Sequence, residues 1–161
     1  MFKWINEGFN NSMQCLPVAI TVLSAIVAVP AAGQILNEDL KLVASDAERD
    51  DLFGLSVSVS GTIAVIGSSL DDDEGPSSGS AYLFDTTTGK QVFKLTALDS
   101  AGNDRFGRSV SISGDIAIIG SYRDDDVWSN SGSAYVFDTT TGQQLFKLNA
   151  SDPAPSDYFG W

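Results

Sequence analysis

Residues 78–93 read SGSAYLFDTTTGKQVF, and residues 131–146 read SGSAYVFDTTTGQQLF. The two stretches lie 53 residues apart, and the similarity extends outward from them on both sides without a gap. Between residues 41–93 and 94–146, about 33 of 53 positions are identical, which marks an internal repeat. A third copy starts at residue 147 and covers residues 147–161. The repeat, rather than any single motif, therefore determines the fold.

Each repeat contains the patterns of four short strands. In the first copy, residues 53–60 place Val between Ser residues with the period of two that is typical of a strand. Residues 63–66 form a continuous apolar run, which predicts a strand buried on both faces. Residues 80–84 and 91–95 supply a third and a fourth strand, separated by a turn rich in Asp, Thr and Gly. No helical pattern follows residue 33.

Four short strands in a repeat of about 50 residues are typical of a β-propeller blade. We therefore predict an all-β fold with two complete four-stranded blades, in residues 41–93 and 94–146, and the start of a third blade in residues 147–161. A β-solenoid is the alternative, but its repeats are usually shorter. A ring needs about four to eight blades, so we expect the chain to continue beyond this sequence. We also expect two blades alone to self-associate through exposed apolar faces and strand edges.

The first 33 residues differ from the repeats and predict an apolar leader helix. Residues 16–32 are almost wholly apolar or small, and VPAAG at residues 29–33 suits a cleaved signal peptide. The run is a little short for a membrane span of about 20 residues, and an uncleaved membrane anchor is the alternative. Residues 34–40 join the leader to the first repeat. The single cysteine, Cys15, lies in the leader, so the repeats contain no disulfide.

The chain is acidic, with a net charge of −12 and a calculated pI of about 4.1. Because phosphate contacts need Lys and Arg, we expect no binding to nucleic acid. Contact with a membrane is expected only through an uncleaved leader. The sequence has no His, the commonest general base and metal ligand. It also has no recognisable nucleophile motif or phosphate-binding loop, and we predict that the protein is not an enzyme.

Phe53-Gly54, followed by Ile66-Gly67-Ser68, resembles the FG-GAP repeat, which forms the blades of the integrin α-chain propeller. The second copy has Phe106-Gly107 and Ile119-Gly120-Ser121 at the same spacing. The resemblance covers residues 41–161 and implies a secreted or cell-surface protein with a role in adhesion. We therefore expect a non-catalytic scaffold that binds an extracellular protein or a carbohydrate. The alternatives are a propeller attached to a catalytic domain outside this sequence and a purely structural surface repeat protein.

Two acidic runs are candidate calcium sites because Ca²⁺ prefers several oxygen ligands. The candidate ligands are Asp71, Asp72, Asp73, Asp124, Asp125 and Asp126. In FG-GAP blades that bind calcium, the ligands lie between the first and second strands, where this chain has only a short turn. The family's calcium ligands therefore have no counterparts here, and the acidic runs follow the second strand instead. A solvated acidic loop is the alternative interpretation.

Two aromatic residues distinguish the second repeat from the first. Tyr122 and Trp128 stand where the first copy has Ser69 and Gly75. Residues shared by the copies maintain the scaffold, so specificity for a ligand is expected where the copies differ. Exposed aromatic side chains on loops contact sugars and proteins. Tyr122 and Trp128 are therefore the predicted ligand-binding residues.

Overall fold

The computed structural model describes residues 40–161, and this part of the chain forms eight β-strands. The strands are β1 (Phe53–Ser60), β2 (Ile63–Ser68), β3 (Ser80–Asp85), β4 (Lys90–Leu95), β5 (Phe106–Ser113), β6 (Ile116–Ser121), β7 (Ser133–Asp138) and β8 (Gln144–Leu148). They form two antiparallel sheets, β1-β2-β3-β4 and β5-β6-β7-β8, each with strands in sequence order. The all-β prediction with two four-stranded blades is confirmed. The predicted leader helix lies outside the described residues.

Short turns connect the strands within each blade. Gly61 has a φ of 57° in the two-residue connection between β1 and β2, a conformation that Gly adopts readily. Between β3 and β4, the carboxylate of Asp85 accepts hydrogen bonds from the backbone N–H of Thr87 and from its hydroxyl, at 2.7 and 2.6 Å. Asp138 and Thr140 form the same pair in the second blade. The repeated DTTTG motif is therefore a hairpin turn. No helix in residues 40–161 is long and apolar enough to cross a membrane.

The Phe-Gly motif begins the first strand of each blade. Gly107 has a φ of 82°, and the pairing of β5 with β6 shifts register between Phe106 and Ser109. This bulge turns the Phe106 ring into its own blade, where it lies 5.5 Å from the Tyr135 ring and 5.8 Å from the Phe137 ring. Each contact is edge-to-face, the geometry that aromatic pairs favour. The motif thus links a backbone bend to the core of the blade.

The main hydrophobic core lies between the two sheets. We call the side of a blade that carries its serine stripe (Ser56, Ser58 and Ser60 in the first blade) the trailing face. The opposite side, which carries Val57 and Val59 in the first blade, is the leading face. Val65 and Leu83 on the first blade's trailing face pack in one cluster with Ile112, Ile119 and Phe137 on the second blade's leading face.

The serine stripe joins the blades by hydrogen bonds. The Ser56 hydroxyl donates to the carbonyl of Gly107 at 2.8 Å. The Ser58 hydroxyl accepts from the N–H of Ile112 at 3.3 Å, and the Ser60 hydroxyl accepts from that of Gly114 at 3.1 Å. Alternate serines on β1 therefore provide both the small volume and the polar partners that two closely packed sheets need.

The connection between the blades is held by backbone hydrogen bonds to the β2–β3 loop of the preceding blade. The N–H of Phe106 donates to the carbonyl of Ser78 at 2.9 Å. The same bond occurs 53 residues later, from Phe159 to Ser131, also at 2.9 Å. The start of the third repeat therefore contacts the second blade as the second contacts the first.

Alanine substitutions at two glycines test how closely the blades pack. Gly107 and Gly114 both have positive φ, at 82° and 55°, but a Cβ on Gly107 would overlap the carbonyl oxygen of Ser80, whereas a Cβ on Gly114 would meet open space. We expect Gly114→Ala to cost about 1–2 kcal/mol of unfolding free energy from backbone strain alone. Gly107→Ala should cost about 3 kcal/mol or more, because steric overlap adds to the strain. Urea unfolding measures both, and equal losses would contradict the close backbone contact.

Candidate functional site

One lysine and three carboxylates form a cluster at the loop edge of the first blade. The Lys94 ammonium lies 2.8 Å from Asp46 and 3.2 Å from Asp71, and it also pairs with Asp73. The Tyr82 hydroxyl donates to the Asp71 carboxylate at 2.7 Å. We call these five residues the first lysine cluster.

The second blade repeats the arrangement 53 residues later. The Lys147 ammonium lies 2.7 Å from Asp99 and 2.9 Å from Asp124, and it pairs with Asp126. The Tyr135 hydroxyl donates to Asp124 at 2.6 Å. Because every member has its counterpart in the first blade, this second lysine cluster is part of the repeat and not a chance surface contact.

Local structure brings these side chains together. Tyr82 on β3 is the register partner of Lys94 on β4, so both point to the same side of the sheet. Asp71 follows β2, and its carbonyl accepts the N–H of Gly79 at 2.9 Å, which closes the β2–β3 loop. Asp46 approaches from the segment before β1. The cluster thus joins a loop, two strands and the entry segment of one blade.

In each acidic run, the first and third carboxylates contact the lysine, and the middle carboxylate bonds to the backbone of the loop. Asp71 and Asp124 are buried in the lysine clusters, and the third acid of each run reaches the same lysine. The middle acids turn away: Asp72 accepts a hydrogen bond from the backbone N–H of Ser77 at 2.6 Å, and Asp125 does the same for Asn130. Alternate residues converge, and adjacent residues do not.

Six residues of these clusters were not identified from the sequence. They are Asp46, Asp99, Lys94, Lys147, Tyr82 and Tyr135. All six are identical between the copies, which is the signal that could have found them. Identity alone does not distinguish a core residue from a cluster member, since both are constrained by the fold.

The pKa values show how tightly each cluster is coupled. Burial opposes the charged form of Lys94, but hydrogen bonds with Asp46, Asp73 and the other members outweigh it, and the pKa of Lys94 is raised. Burial likewise opposes ionisation of Asp46, yet its hydrogen bond with Lys94 leaves the pKa of Asp46 lowered. The ion pair therefore stabilises the fold across neutral pH. Its contribution falls as the pH drops below 3.8 toward the lowered pKa of Asp46, and as the pH rises above 10.5 toward the raised pKa of Lys94.

The donor set of each cluster suits a hard cation, but an ammonium group already lies within it. Carboxylate oxygens of Asp46, Asp71 and Asp73 come within 4.8 Å of one another, and all are oxygen ligands of the kind that Ca²⁺ prefers. Lys94 supplies positive charge at the same place. Calcium binding in these loops stays a prediction, and in this geometry it requires the ammonium to move away.

The two aromatic residues of the second repeat occupy different environments. Trp128 is 55% exposed on the β6–β7 loop, whereas Tyr122 is only 3% exposed. The Tyr122 ring packs against the rings of Trp161 and Tyr158, with centroids 4.3 and 5.7 Å away. Tyr122 therefore joins the second blade to the start of the third repeat, and Trp128 is the one of the two whose ring is available to a ligand.

Asp104 is a buried acid in the connection between the blades. Its carboxylate accepts the backbone N–H of Ala101 at 2.8 Å. Burial raises its pKa to about 6, with a further contribution from the negative charges of Asp124, Asp125 and Asp126 and against the effect of the Ala101 hydrogen bond. Ionisation of Asp104 at neutral pH therefore destabilises the folded state relative to the unfolded state.

Two four-stranded sheets packed face to face, with each sheet made of one sequence repeat, define a protein built from β-propeller blades. A family model described as "FG-GAP repeat" matches residues 36–84 and 90–137. The chain belongs to the FG-GAP repeat family, and the resemblance drawn from the Phe-Gly and Ile-Gly-Ser motifs is confirmed.

Comparison with solved structures found similarity to the crystal structure of Saccharomyces cerevisiae Sqt1, with 18% sequence identity and a TM-score of 0.44. The similarity covers 68% of this chain and 25% of that one. The chain thus spans about a quarter of the length of that structure. The comparison with curated proteins found no match.

Replacing the lysine of the second cluster tests its contribution to stability. Lys147→Met keeps most of the apolar stem but leaves Asp124 buried without its cation. We expect a loss of about 2–4 kcal/mol in unfolding free energy at pH 7. The control is Lys90→Met, at an exposed β4 position, which should change stability by less than about 0.5 kcal/mol.

Two further measurements on the Lys147→Met variant complete this test. Adding Asp124→Asn should recover part of the lost stability, because it removes the unpaired buried charge. Calcium should raise the melting temperature of Lys147→Met more than that of the wild type, since the three carboxylates no longer share an ammonium. No recovery in the double variant would show that Asp124 and Lys147 are not coupled, and equal calcium shifts would show that the lysine does not compete with the ion.

A pH-dependent prediction follows from Asp104. Its pKa is raised from 3.8 to about 6 in the folded state, so its destabilising effect is complete above pH 6 and vanishes below about pH 4. Asp104→Asn should therefore stabilise the protein by about 1–3 kcal/mol at pH 7 and leave it unchanged near pH 4. Asp115→Asn removes a charge at an exposed turn and controls for net charge. A gain for Asp104→Asn that is independent of pH would contradict this explanation.

Proposed function

We propose that this chain is a non-catalytic β-propeller scaffold, secreted or at the cell surface, that binds an extracellular protein or a carbohydrate. The observation that carries the proposal is Trp128, a large aromatic side chain exposed on a loop of the second blade. Its counterpart in the first blade is Gly75, so the ring is not required by the blade fold.

The loop that presents Trp128 is held in place by its own backbone. Its ends are joined by the N–H of Gly132 donating to the carbonyl of Asp124 at 3.0 Å, and a tight turn is closed by Ser131 donating to the carbonyl of Trp128 at 2.9 Å. Asp124 is in turn fixed by Lys147 and Tyr135. A loop whose backbone is already ordered loses less conformational freedom on binding, which favours recognition.

The titratable groups of the two lysine clusters support a binding role over catalysis. The buried carboxylates Asp71 and Asp124 are paired with lysine ammonium groups, and their tyrosine neighbours, Tyr82 and Tyr135, have raised pKa values because burial and the adjacent carboxylate disfavour the phenolate. At neutral pH these carboxylates, ammonium groups and hydroxyls are held in ion pairs and hydrogen bonds with one another. General acid–base catalysis instead needs a group whose pKa is near the working pH and that reaches substrate.

The test is binding of the protein to an array of oligosaccharides and to a panel of extracellular matrix proteins. For a ligand that binds the wild type, we expect Trp128→Ala to weaken affinity by about tenfold or more, the effect of truncating an aromatic hot spot. Leu145→Ala trims an exposed apolar residue on β8, the outer strand of the same sheet, and should leave affinity unchanged. Absence of any ligand would favour a purely structural repeat protein. Full affinity in Trp128→Ala would show that the ligand binds at a surface that does not include Trp128.

A further inference from the structure

Three of the four arginines in the chain lie together at one end of the second blade. Arg105 directly precedes β5, Arg108 lies on β5, and Arg123 follows β6. The N–H of Arg108 donates to the carbonyl of Arg105 at 3.3 Å, and the N–H of Arg123 donates to that of Asp104 at 3.2 Å. These backbone bonds place the three arginines next to one another, and we call them the arginine group.

The arginine group is specific to the second repeat. Its counterparts 53 residues earlier are Leu52, Leu55 and Leu70. In the third repeat, aromatic residues occupy two of the three positions, as Tyr158 and Trp161. Because the blade fold accepts Leu, Arg or an aromatic residue here, the positive charges are an addition to the scaffold and not part of it.

This end of a blade stays accessible beside its neighbours. Leu52 and Leu55 are 47% and 49% exposed, although a complete blade follows them. The second blade contacts the first blade on one face and residues 156–161 on the other, and all three of its arginines are still only half-buried. Contact with neighbouring repeats therefore leaves these positions open to a ligand.

The arginine group has no carboxylate partner among residues 40–161. The ion pairs in this part of the chain involve Arg49, Lys94 and Lys147. The acids adjacent to the arginine group are engaged elsewhere, since Asp104 bonds to a backbone N–H and Asp124 belongs to the second lysine cluster. In a chain with 21 acidic residues, three neighbouring guanidinium groups without an anionic partner indicate a site for an anion from outside the chain.

Aromatic rings support two of the guanidinium groups. The guanidinium carbon of Arg108 lies 4.7 Å from the centre of the Trp161 ring, and that of Arg123 lies 5.5 Å from the centre of the Tyr122 ring. A guanidinium held over a ring face keeps its N–H donors in its own plane, where they can form the forked hydrogen bonds that match a carboxylate or a sulfate. The Nε–H groups of Arg105 and Arg123 are shielded from water and have no acceptor among the described residues, which is rare for a buried donor.

We propose that the arginine group binds the acidic substituents of an anionic oligosaccharide, which are carboxylates or sulfates. The inference rests on the proposed function, because it specifies the chemistry of the ligand that the scaffold binds. A carbohydrate is favoured over an acidic peptide by Tyr158, an exposed residue whose ring packs beside that of Tyr122 and offers a flat apolar surface to a sugar ring. A sugar stacked there would present its acidic groups to the guanidinium groups.

The same end of the blade carries the loop that presents Trp128. β5 begins and β6 ends at this end of the sheet, and the β6–β7 loop starts from it. The N–H of Tyr158 donates to the carbonyl of Asn130 in that loop at 3.1 Å. An oligosaccharide of several residues thus meets aromatic and cationic side chains at one end of the second blade.

The acidity of the remaining chain limits the size of the ligand. A long polyanion would also approach the acidic surface of a protein with a net charge of −12 and would be repelled. At about 0.15 M salt, exposed charges more than about 8 Å apart are largely screened, so a short ligand interacts mainly with the arginine group. We therefore expect short acidic oligosaccharides to bind more tightly than long ones.

The experiment is isothermal titration calorimetry at pH 7 on the full 161-residue chain. The probes are a short oligogalacturonate, its methyl ester, which has the same rings without charge, and a sulfated oligosaccharide of the same length. At least one charged probe should bind about tenfold or more tightly than the ester, and comparison of the two charged probes identifies the preferred acidic group. Equal affinity for acid and ester would overturn the proposal, and so would no binding of either charged probe.

A triple variant tests the residues themselves. Arg105→Leu, Arg108→Leu and Arg123→Leu together restore the residues of the first repeat, so the blade fold should accept them. We expect the affinity for the charged probe to fall by about tenfold or more. The control is Arg49→Leu, which removes an exposed arginine that pairs with Asp50 and should leave the affinity unchanged. Circular dichroism establishes folding, and a triple Gln variant replaces the Leu variant if it is unfolded. Unchanged affinity in the folded triple variant would overturn the proposal.

Trp128→Ala separates this inference from the proposed function. Binding of the charged probe that is lost in the triple variant and kept in Trp128→Ala would support the arginine group and place the ligand at a surface without Trp128. Binding of a neutral oligosaccharide or a matrix protein that is lost in Trp128→Ala and unchanged in the triple variant would support the proposed function and overturn this inference. Tighter binding of a glutamate hexapeptide than of either charged oligosaccharide would overturn the assignment to a carbohydrate.

Discussion

The close backbone contact between consecutive repeats is the constraint on which the rest of this structure depends. A Cβ on Gly67 would overlap the carbonyl oxygen of Gly107, and a Cβ on Gly120 would overlap that of Gly160. Two sheets that approach this closely leave room only for glycine at these points and for serine beside them. Ser56 then binds the same Gly107 carbonyl, so one small region satisfies both sterics and hydrogen bonding. The apolar core between the blades forms around this contact.

The lysine clusters solve a second problem, which is electrostatic. Each blade places three carboxylates at one loop edge, and burial of Asp71 or Asp124 without a cation would be costly. A lysine from the last strand of the same blade supplies the charge, and in the first blade its ammonium lies 5.4 Å from the centre of a tyrosine ring. The segment before each blade contributes an Asp to the same lysine, and the cluster therefore ties the entry of the blade to its final strand.

Strand positions could be predicted from the sequence because they depend on local periodicity. The alternation at Ser56, Val57 and Ser58 predicted a strand, and the 53-residue repeat predicted two blades of the same architecture. The lysine clusters could not be predicted in this way, because Lys94 meets Asp46 and Asp71 across 48 and 23 residues, and only the sheet register brings them together. Tyr122 shows the same limit: its burial depends on Tyr158 and Trp161, which belong to the next repeat.

Residues that are identical in the two copies are largely explained by the scaffold itself. Phe53 and Tyr82 fill the core of a blade, the serines and glycines allow the blades to meet, and the Asp85 turn closes a hairpin. A residue that has such a task cannot vary freely to suit a ligand. In the scaffold that we propose, recognition depends on positions where the blade fold accepts different side chains, and Gly75 and Trp128 show that the β2–β3 and β6–β7 loops are such positions. The repeated architecture thus separates the residues that build the blade from those that can give each blade its own surface.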